Sequence, residues 1–279
     1  MAVLFAFMIF GVVFLGFQMF NQLSEPADQY PEDSLAAQAA PNENYASNPY
    51  ALNGGQASSF EPSPPVIDTD AWYLILVSPR QALPEGFSVE LEYVNDSFRV
   101  DTRIADPLRH MIAAARGDGI ILTLRSAYRS VDRQHELFYG NIQTLISQGY
   151  TQERAVYLTE MYFARPGYSE HHTGLAVDIL SPDHPGFYET FEDTLAFAWL
   201  SENAHLFGFI LRYPRDSRDI TGIAYEPWHF RYVGVEAATE IFENGWVLEE
   251  FLYFQQFTGT TGEPAGDAEY EDDDEYEDE

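Results

Sequence analysis

The chain of 279 residues contains no cysteine and no lysine. Without cysteine there are neither disulfide staples nor thiolate metal sites, so a metal here must be held by nitrogen and oxygen donors. Without lysine, arginine carries all 14 basic side chains against 45 acidic ones, for a net charge of −31. A chain so poor in basic residues cannot build the positive face that nucleic acid requires, and anionic polymers are repelled by it. Self-repulsion of this size opposes the compact state at low ionic strength and is screened by salt. The composition therefore predicts a host in saline surroundings and an unfolding midpoint that rises with salt.

Charge is also absent from residues 1–23, which are almost continuously apolar and long enough to cross a bilayer core. They lack the basic leader and the small-x-small cleavage site of a signal peptide. The expectation is an uncleaved transmembrane anchor, with a cleaved signal peptide as the alternative. Residues 24–70 are rich in Pro, Ala, Asn, Ser, Gln and acids, the composition of a disordered linker that cannot bury enough apolar surface to fold. Residues 258–279 end in an unbroken run of Glu, Asp and Tyr and are expected to remain a solvated, disordered tail. Between them, 71–257 reads as one folded domain.

Within that domain the hydrophobic patterning predicts strands over Trp72–Val77, Ile120–Leu124, Leu175–Ile179 and Trp228–Val233. It predicts helices over Asp106–Arg116, Asp132–Ser147, Thr151–Phe163, Glu192–His205 and Glu236–Asn244. Helices that mostly precede a late, mainly antiparallel sheet define an α+β domain.

Two short segments carry the chemistry. Ser169-Glu170-His171-His172-Thr173-Gly174-Leu175-Ala176-Val177-Asp178 supplies adjacent histidines and an aspartate, and Glu226-Pro227-Trp228-His229 supplies a glutamate and a histidine. Asp178 sits in an apolar, β-branched run, where a carboxylate is costly unless it meets a cation. Gly174 allows the sharp turn that brings a histidine and Asp178 into one cleft. Pro227 argues against a helix and for an extended entry into the following strand, where His229 faces away from Trp228, Phe230 and Tyr232. A hydrolytic zinc site takes three such ligands, leaves the fourth position to water and keeps a carboxylate nearby to accept a proton. His171, Asp178 and His229 can be the ligands and Glu226 the base. Adjacent residues of an extended segment point to opposite sides, so only one of His171 and His172 can serve.

These blocks, with Ser126-Ala127-Tyr128-Arg129-Ser130 and Gln134 upstream, resemble the zinc D-alanyl-D-alanine carboxypeptidases of the VanY type, a family of LAS-type metallopeptidases. The resemblance runs from about Tyr73 to Phe251, beginning with Leu74-Ile75-Leu76-Val77 and Leu83-Pro84-Glu85-Gly86-Phe87, and includes Arg165-Pro166-Gly167-Tyr168 before Ser169. The family commonly has Gln where this chain has His172, and its register selects His171 as the ligand. What the resemblance implies is a single zinc-peptidase domain holding one Zn²⁺ on its sheet. Arg129 then stabilises the oxyanion, while Ser126, Gln134, Arg165 and Ser169 bind or position the substrate. The implied substrate is a peptidoglycan stem peptide that loses its terminal D-alanine, and L,D-carboxypeptidase action on tetrapeptides is the alternative. Wall endopeptidase action or a silent, tethered peptidoglycan-binding module are more distant readings. Such a substrate would place the domain outside the cytoplasm, held at the cell membrane by a single N-terminal span.

Overall fold

The computed structural model describes residues 68–258. The expected anchor, nearly all of the linker and the acidic tail beyond Thr258 lie outside the described residues. Among those described, no helix is long and apolar enough to cross a membrane.

The elements follow in the order β1 (Leu91–Tyr93), β2 (Arg99–Asp101), α1 (Thr102–Gly117), β3 (Thr123–Ser126), α2 (Val131–Ser147), α3 (Gln152–Glu160), β4 (Ala176–Leu180), α4 (Leu195–Asn203), β5 (Phe209–Leu211), α5 (Arg218–Thr221), β6 (His229–Tyr232), α6 (Val235–Asn244) and α7 (Leu248–Thr258). β1 and β2 form a separate antiparallel pair, and the main sheet is antiparallel throughout in the order β3-β4-β6-β5. Helices on an antiparallel sheet are the architecture that the patterning predicts.

Register explains why the site is on this sheet. Val177 lies opposite Phe230 and Asp178 opposite His229 on the two central strands. Side chains alternate across a strand, so the first pair enters the core and the second faces the other side. Val177 and Phe230 are fully buried beside Ile104, Leu108 and Met111 of α1 and Leu200 of α4. Each large apolar side chain so buried contributes about 1.5–3 kcal/mol. A second cluster joins Ile210 of β5 to Leu74, to Ala238 and Ile241 of α6 and to Leu248 and Phe251 of α7. A third packs α2 on α3 through Phe138, Ile142, Leu145 and Ala155.

Four expectations need correction, the first being the strand at Ile120–Leu124, which instead runs Thr123–Ser126. Trp72–Val77 is not a strand: Trp72–Leu74 is a 3₁₀ turn, and the Tyr73 and Ile75 carbonyls accept hydrogen bonds from Arg231 instead of a neighbouring strand. The first long helix begins at Thr102, four residues before the expected Asp106, because the Asp101 side chain caps it by accepting from the Arg103 N–H at 2.9 Å. Glu192–His205 is a 3₁₀ turn (Glu189–Asp193), then α4, then a second 3₁₀ turn (Ala204–Phe207). The hairpin, β5, α5 and α7 are additions to the predicted elements.

Candidate active site

The first histidine segment is a 3₁₀ turn, Glu170–Thr173, closed by Gly174 in the left-handed region at φ 72°. A Cβ at Gly174 would lie 2.7 Å from the Asp101 backbone nitrogen, so no other residue fits this turn without moving β2. The turn delivers His171 to the face on which Asp178 and His229 stand. Ligand atoms from these three buried residues all lie within 4.8 Å of one another. Asp178 is the bridge: its Oδ1 is 3.1 Å from His229 Nδ1 and its Oδ2 is 3.4 Å from His171 Nε2.

Each imidazole is fixed by its other nitrogen. His171 Nδ1 donates to the Ala127 carbonyl at 2.7 Å, which leaves Nε2 as its coordinating atom. His229 is oriented the other way: Nε2 lies 3.4 Å from Glu170 Oε2, and Nδ1 faces Asp178. His172 has a different task. Its Nδ1 donates to the Arg129 carbonyl at 2.7 Å and its Nε2 accepts from the Gly167 N–H at 3.1 Å, so it clamps two loops together and turns away from the cluster.

Glu226 and Arg129 stand over the triad. Glu226 Oε2 is 3.6 Å from His229 Nδ1, and no arginine among the described residues bonds to its carboxyl. Burial pushes the Glu226 carboxyl up to about 8, with the charges of Asp178 and Glu170 adding and those of His229 and Arg129 opposing. Arg129 donates to Gln134 Oε1 at 2.8 Å and to Ser126 Oγ at 2.9 Å, while its NH2 lies 3.8 Å from Asp178 Oδ2. Gln134 in turn donates to the Ala164 carbonyl at 2.6 Å. Ser126 and Gln134 thus act as braces that aim Arg129.

Two adjoining clefts share Arg129, Glu226, Tyr162 and Phe163 as walls. One, of about 300 Å³, reaches His171, His229, Ser169, Gln134 and Tyr213; the other, of about 340 Å³, reaches Asp178, Phe187 and Trp228. Ser169 therefore faces the site as expected. Arg165 does not: its guanidinium pairs with Glu160 and is mostly exposed, so its placement as a substrate-positioning group is corrected.

Behind the ligands lies a layer that the sequence motifs did not reveal. Glu170 is fully enclosed, and its Oε1 accepts from Arg212 Nε at 2.8 Å and from Arg231 NH1 at 2.7 Å. Burial works against its charge, but the two guanidiniums and His229 hold the Glu170 carboxyl well below the usual carboxylate range. Asp178 is likewise depressed: burial opposes, and the two histidines prevail. For His229, burial lowers the affinity for a proton, but hydrogen bonds to Asp178 and Glu170 with the charges of Asp178 and Glu226 raise its pKa to about 9. Burial, followed by the charge of Arg129, brings His171 down to about 4. The signal for the hidden layer was present in the alternation of β6, which puts Arg231 on the same face as His229.

The donor set fits a zinc ion. Two imidazole nitrogens and one carboxylate converge, each is oriented by a second partner, and the side toward Glu226 and the clefts is open. Fold and site together define a mononuclear zinc hydrolase with a buried carboxyl, Glu226, and a fixed guanidinium, Arg129, at its mouth.

The comparisons make the class specific. Residues 97–235 match the VanY family model, described as D-alanyl-D-alanine carboxypeptidase. A D-alanyl-D-alanine carboxypeptidase of Enterococcus faecalis is 42% identical over 185 residues, 66% of this chain and 67% of that protein. Among solved structures, VanYB in complex with D-alanine-D-alanine is 42% identical with a TM-score of 0.60, over 65% of this chain and 98% of that one. A mutant of the vancomycin-resistance D,D-pentapeptidase VanY in complex with Zn(II) is 41% identical, with a TM-score of 0.59 over 65% and 99% of the two chains. The chain belongs to the VanY family of D-alanyl-D-alanine carboxypeptidases.

Proposed function

We propose that this protein is a zinc-dependent carboxypeptidase that removes the terminal D-alanine from peptidoglycan stem peptides. The observation that carries the reading is the His171–Asp178–His229 triad opening on clefts bordered by Glu226, whose carboxyl takes no arginine hydrogen bond among the described residues, and by a braced guanidinium, Arg129. The D-alanine-D-alanine held by the VanYB structure and the Zn(II) held by its relative support the same assignment.

Zinc held by the triad would polarise a scissile carbonyl and acidify water in the open position. Glu226, raised by burial and not one of the three metal-binding groups, is the carboxyl at the mouth that would take a proton from the attacking water and return it to the departing amine. Arg129 keeps its charge although buried and points into both clefts, where it stabilises the oxyanion formed by attack. Ser126 and Gln134 hold that guanidinium in place, so its reorientation does not have to accompany reaction. Phe187 and Trp228, packed edge to face at 5.5 Å, supply an apolar wall suited to an alanine methyl.

The arrangement of the rest of the chain belongs to the same proposal. Residues 1–23 serve as a single-pass membrane anchor and 24–70 as a tether, with the enzyme domain outside the cytoplasm where its substrate lies. The apolar, uncharged composition of the first segment and the polar composition of the second support this. The decisive experiment is alanine release from synthetic penta- and tetrapeptide stems by the zinc-loaded protein and by Glu226→Ala. Release from the pentapeptide that disappears in the variant is expected. Release from the tetrapeptide alone would reassign the enzyme to L,D chemistry, and no release from either would overturn the reading.

A further inference from the structure

The ion cluster behind His229 is more than a buried salt bridge. Glu170 uses one carboxylate oxygen, Oε1, to accept from both Arg212 and Arg231, and turns the other, Oε2, to His229 Nε2 at 3.4 Å. Arg212 uses Nε for Glu170 and its two terminal nitrogens for Glu249, at 2.8 and 2.7 Å, in a two-pronged pairing. Arg231 completes its bonding with the Tyr73 and Ile75 carbonyls at 3.0 and 2.7 Å. The arginine side chains are inaccessible to solvent, as is that of Glu170, and that of Glu249 is 16% exposed.

Two carboxylates thus balance two guanidiniums. Without Glu249 the cluster would carry an uncompensated positive charge directly behind a ligand that must coordinate a dication, and both arginines would draw on Glu170 alone. A ligand histidine usually donates its second N–H to a carboxylate or carbonyl, which fixes the ring and raises its basicity. His171 has a backbone carbonyl in this role, but His229 has Glu170, whose negative charge is available only if its arginines are otherwise occupied. Glu249 supplies that occupation from the first turn of α7, beyond residue 235 where the family match ends.

We propose that Glu170 is a positioning residue of the metal site, and that Glu249, acting through Arg212, is its electrostatic counterweight. The chain Glu249–Arg212–Glu170–His229 then makes the C-terminal helix α7 part of the metal centre. Removing the Glu249 charge should loosen zinc without disturbing any group that touches substrate. The proposal rests on the zinc-enzyme reading above, and its test separates the two.

Zinc affinity is measured for the full-length protein by competition with a chromophoric chelator, for wild type, Glu170→Gln, Glu249→Gln and Glu243→Gln. The last removes one exposed acid from α6 and controls for net charge. Second-layer losses typically weaken metal binding about 10- to 100-fold, so Glu249→Gln is expected at the lower end of that range, Glu170→Gln at the upper end and Glu243→Gln at wild type. Nitrogen-15 imidazole shifts of zinc-loaded wild type should show His229 protonated on Nε2 and His171 on Nδ1, with the His229 signal alone moving in Glu249→Gln. Should Glu170→Gln fail to fold, Glu249→Gln decides. Equal zinc affinity in Glu249→Gln and wild type, or a His229 signal that does not move, overturns the inference. If affinities fall as stated while wild type releases no alanine, the enzyme reading falls and the positioning role stands. A wild type that binds no zinc overturns both.

Discussion

Two buried glutamates approach the same imidazole from opposite sides, and the protein treats them in opposite ways. Glu170, behind His229, is fastened by two arginines and held well below the usual carboxylate range. Glu226, in front, lies 3.6 Å from the same ring, and burial raises it to about 8. The side chains have the same chemistry and similar burial, so the difference arises from where the arginines were placed. The back of the site is built for a permanent charge that orients a ligand. The mouth keeps a carboxyl of raised proton affinity, as the proposed role of Glu226 as base requires. Burial opposes the charge of both carboxylates, but at Glu170 two guanidiniums offset it, whereas at Glu226 the neighbouring charges do not.

The largest effect that tests this contrast is in Glu226→Gln. Loss of a positioned base typically lowers turnover about 10²- to 10⁴-fold, and that loss should appear in kcat for alanine release while zinc affinity is retained. The same variant should be at least as stable as wild type near neutral pH in the presence of chelator, by denaturant midpoint. A Gln that unfolds the protein would show that Glu226 is bonded as tightly as Glu170, and the comparison would break.

Much of the front of the site was legible in the sequence, and the back was not, for a physical reason. His171, Asp178, Glu226 and His229 lie in two compact blocks whose turn residues, Gly174 and Pro227, indicate how the chain bends. Arg129 could be read only because its block, with Ser126 and Gln134, resembles that of the VanY family. Glu170 stands second in the best motif, yet its meaning depends on Arg212 and Arg231, 42 and 61 residues away. The alternation of β6 shows Arg231 on the His229 face, but nothing local connects it to Glu170 or to Arg212. Arg165 failed for the converse reason: it is adjacent to the motif in sequence, but its side chain turns outward to Glu160. The antiparallel sheet and most helices followed from patterning, whereas the three-residue strands β1, β2 and β5 are too short to show an alternation.

A middle-sized effect is the pH dependence of stability in chelator, in which the two glutamates should diverge. The native Glu170 pKa lies below its unfolded value near 4.5, so the unfolded state binds more protons; its stabilisation is complete above that value and is lost as pH falls toward the native one. Glu226 has the reverse sign. Its native value of about 8 exceeds the unfolded one near 4.5, so its contribution is fully present below 4.5 and is lost as pH rises through 8. Glu170→Ala, which leaves the buried Arg231 with no carboxylate partner and Arg212 with Glu249 alone, is expected to lose about 3–5 kcal/mol at neutral pH. The deficit of the corresponding isostere, Glu170→Gln, should shrink below pH 4.5, whereas the advantage of Glu226→Gln should grow between pH 4.5 and 8. Denaturant midpoints of both variants against wild type, taken from below pH 4.5 up to pH 8, check the two slopes, and parallel slopes would contradict the assignment.

Salt provides the smallest effect and the sharpest separation of surface from interior. A net charge of −31 spread over the chain repels itself through solvent, where the screening length is about 8–10 Å at physiological ionic strength and about 3 Å at 1 M. Added sodium chloride should therefore raise the unfolding midpoint of wild type. The Glu170 cluster is sealed from ions, so the stability difference between wild type and Glu170→Gln should stay constant across the same series. If the midpoint does not rise, the acidic surface is not a burden that salt relieves, and the expected saline host loses its support. If the Glu170 difference shrinks with salt as a surface pair would, ions reach the back of the site, and the contrast between a sealed support and an open mouth is wrong.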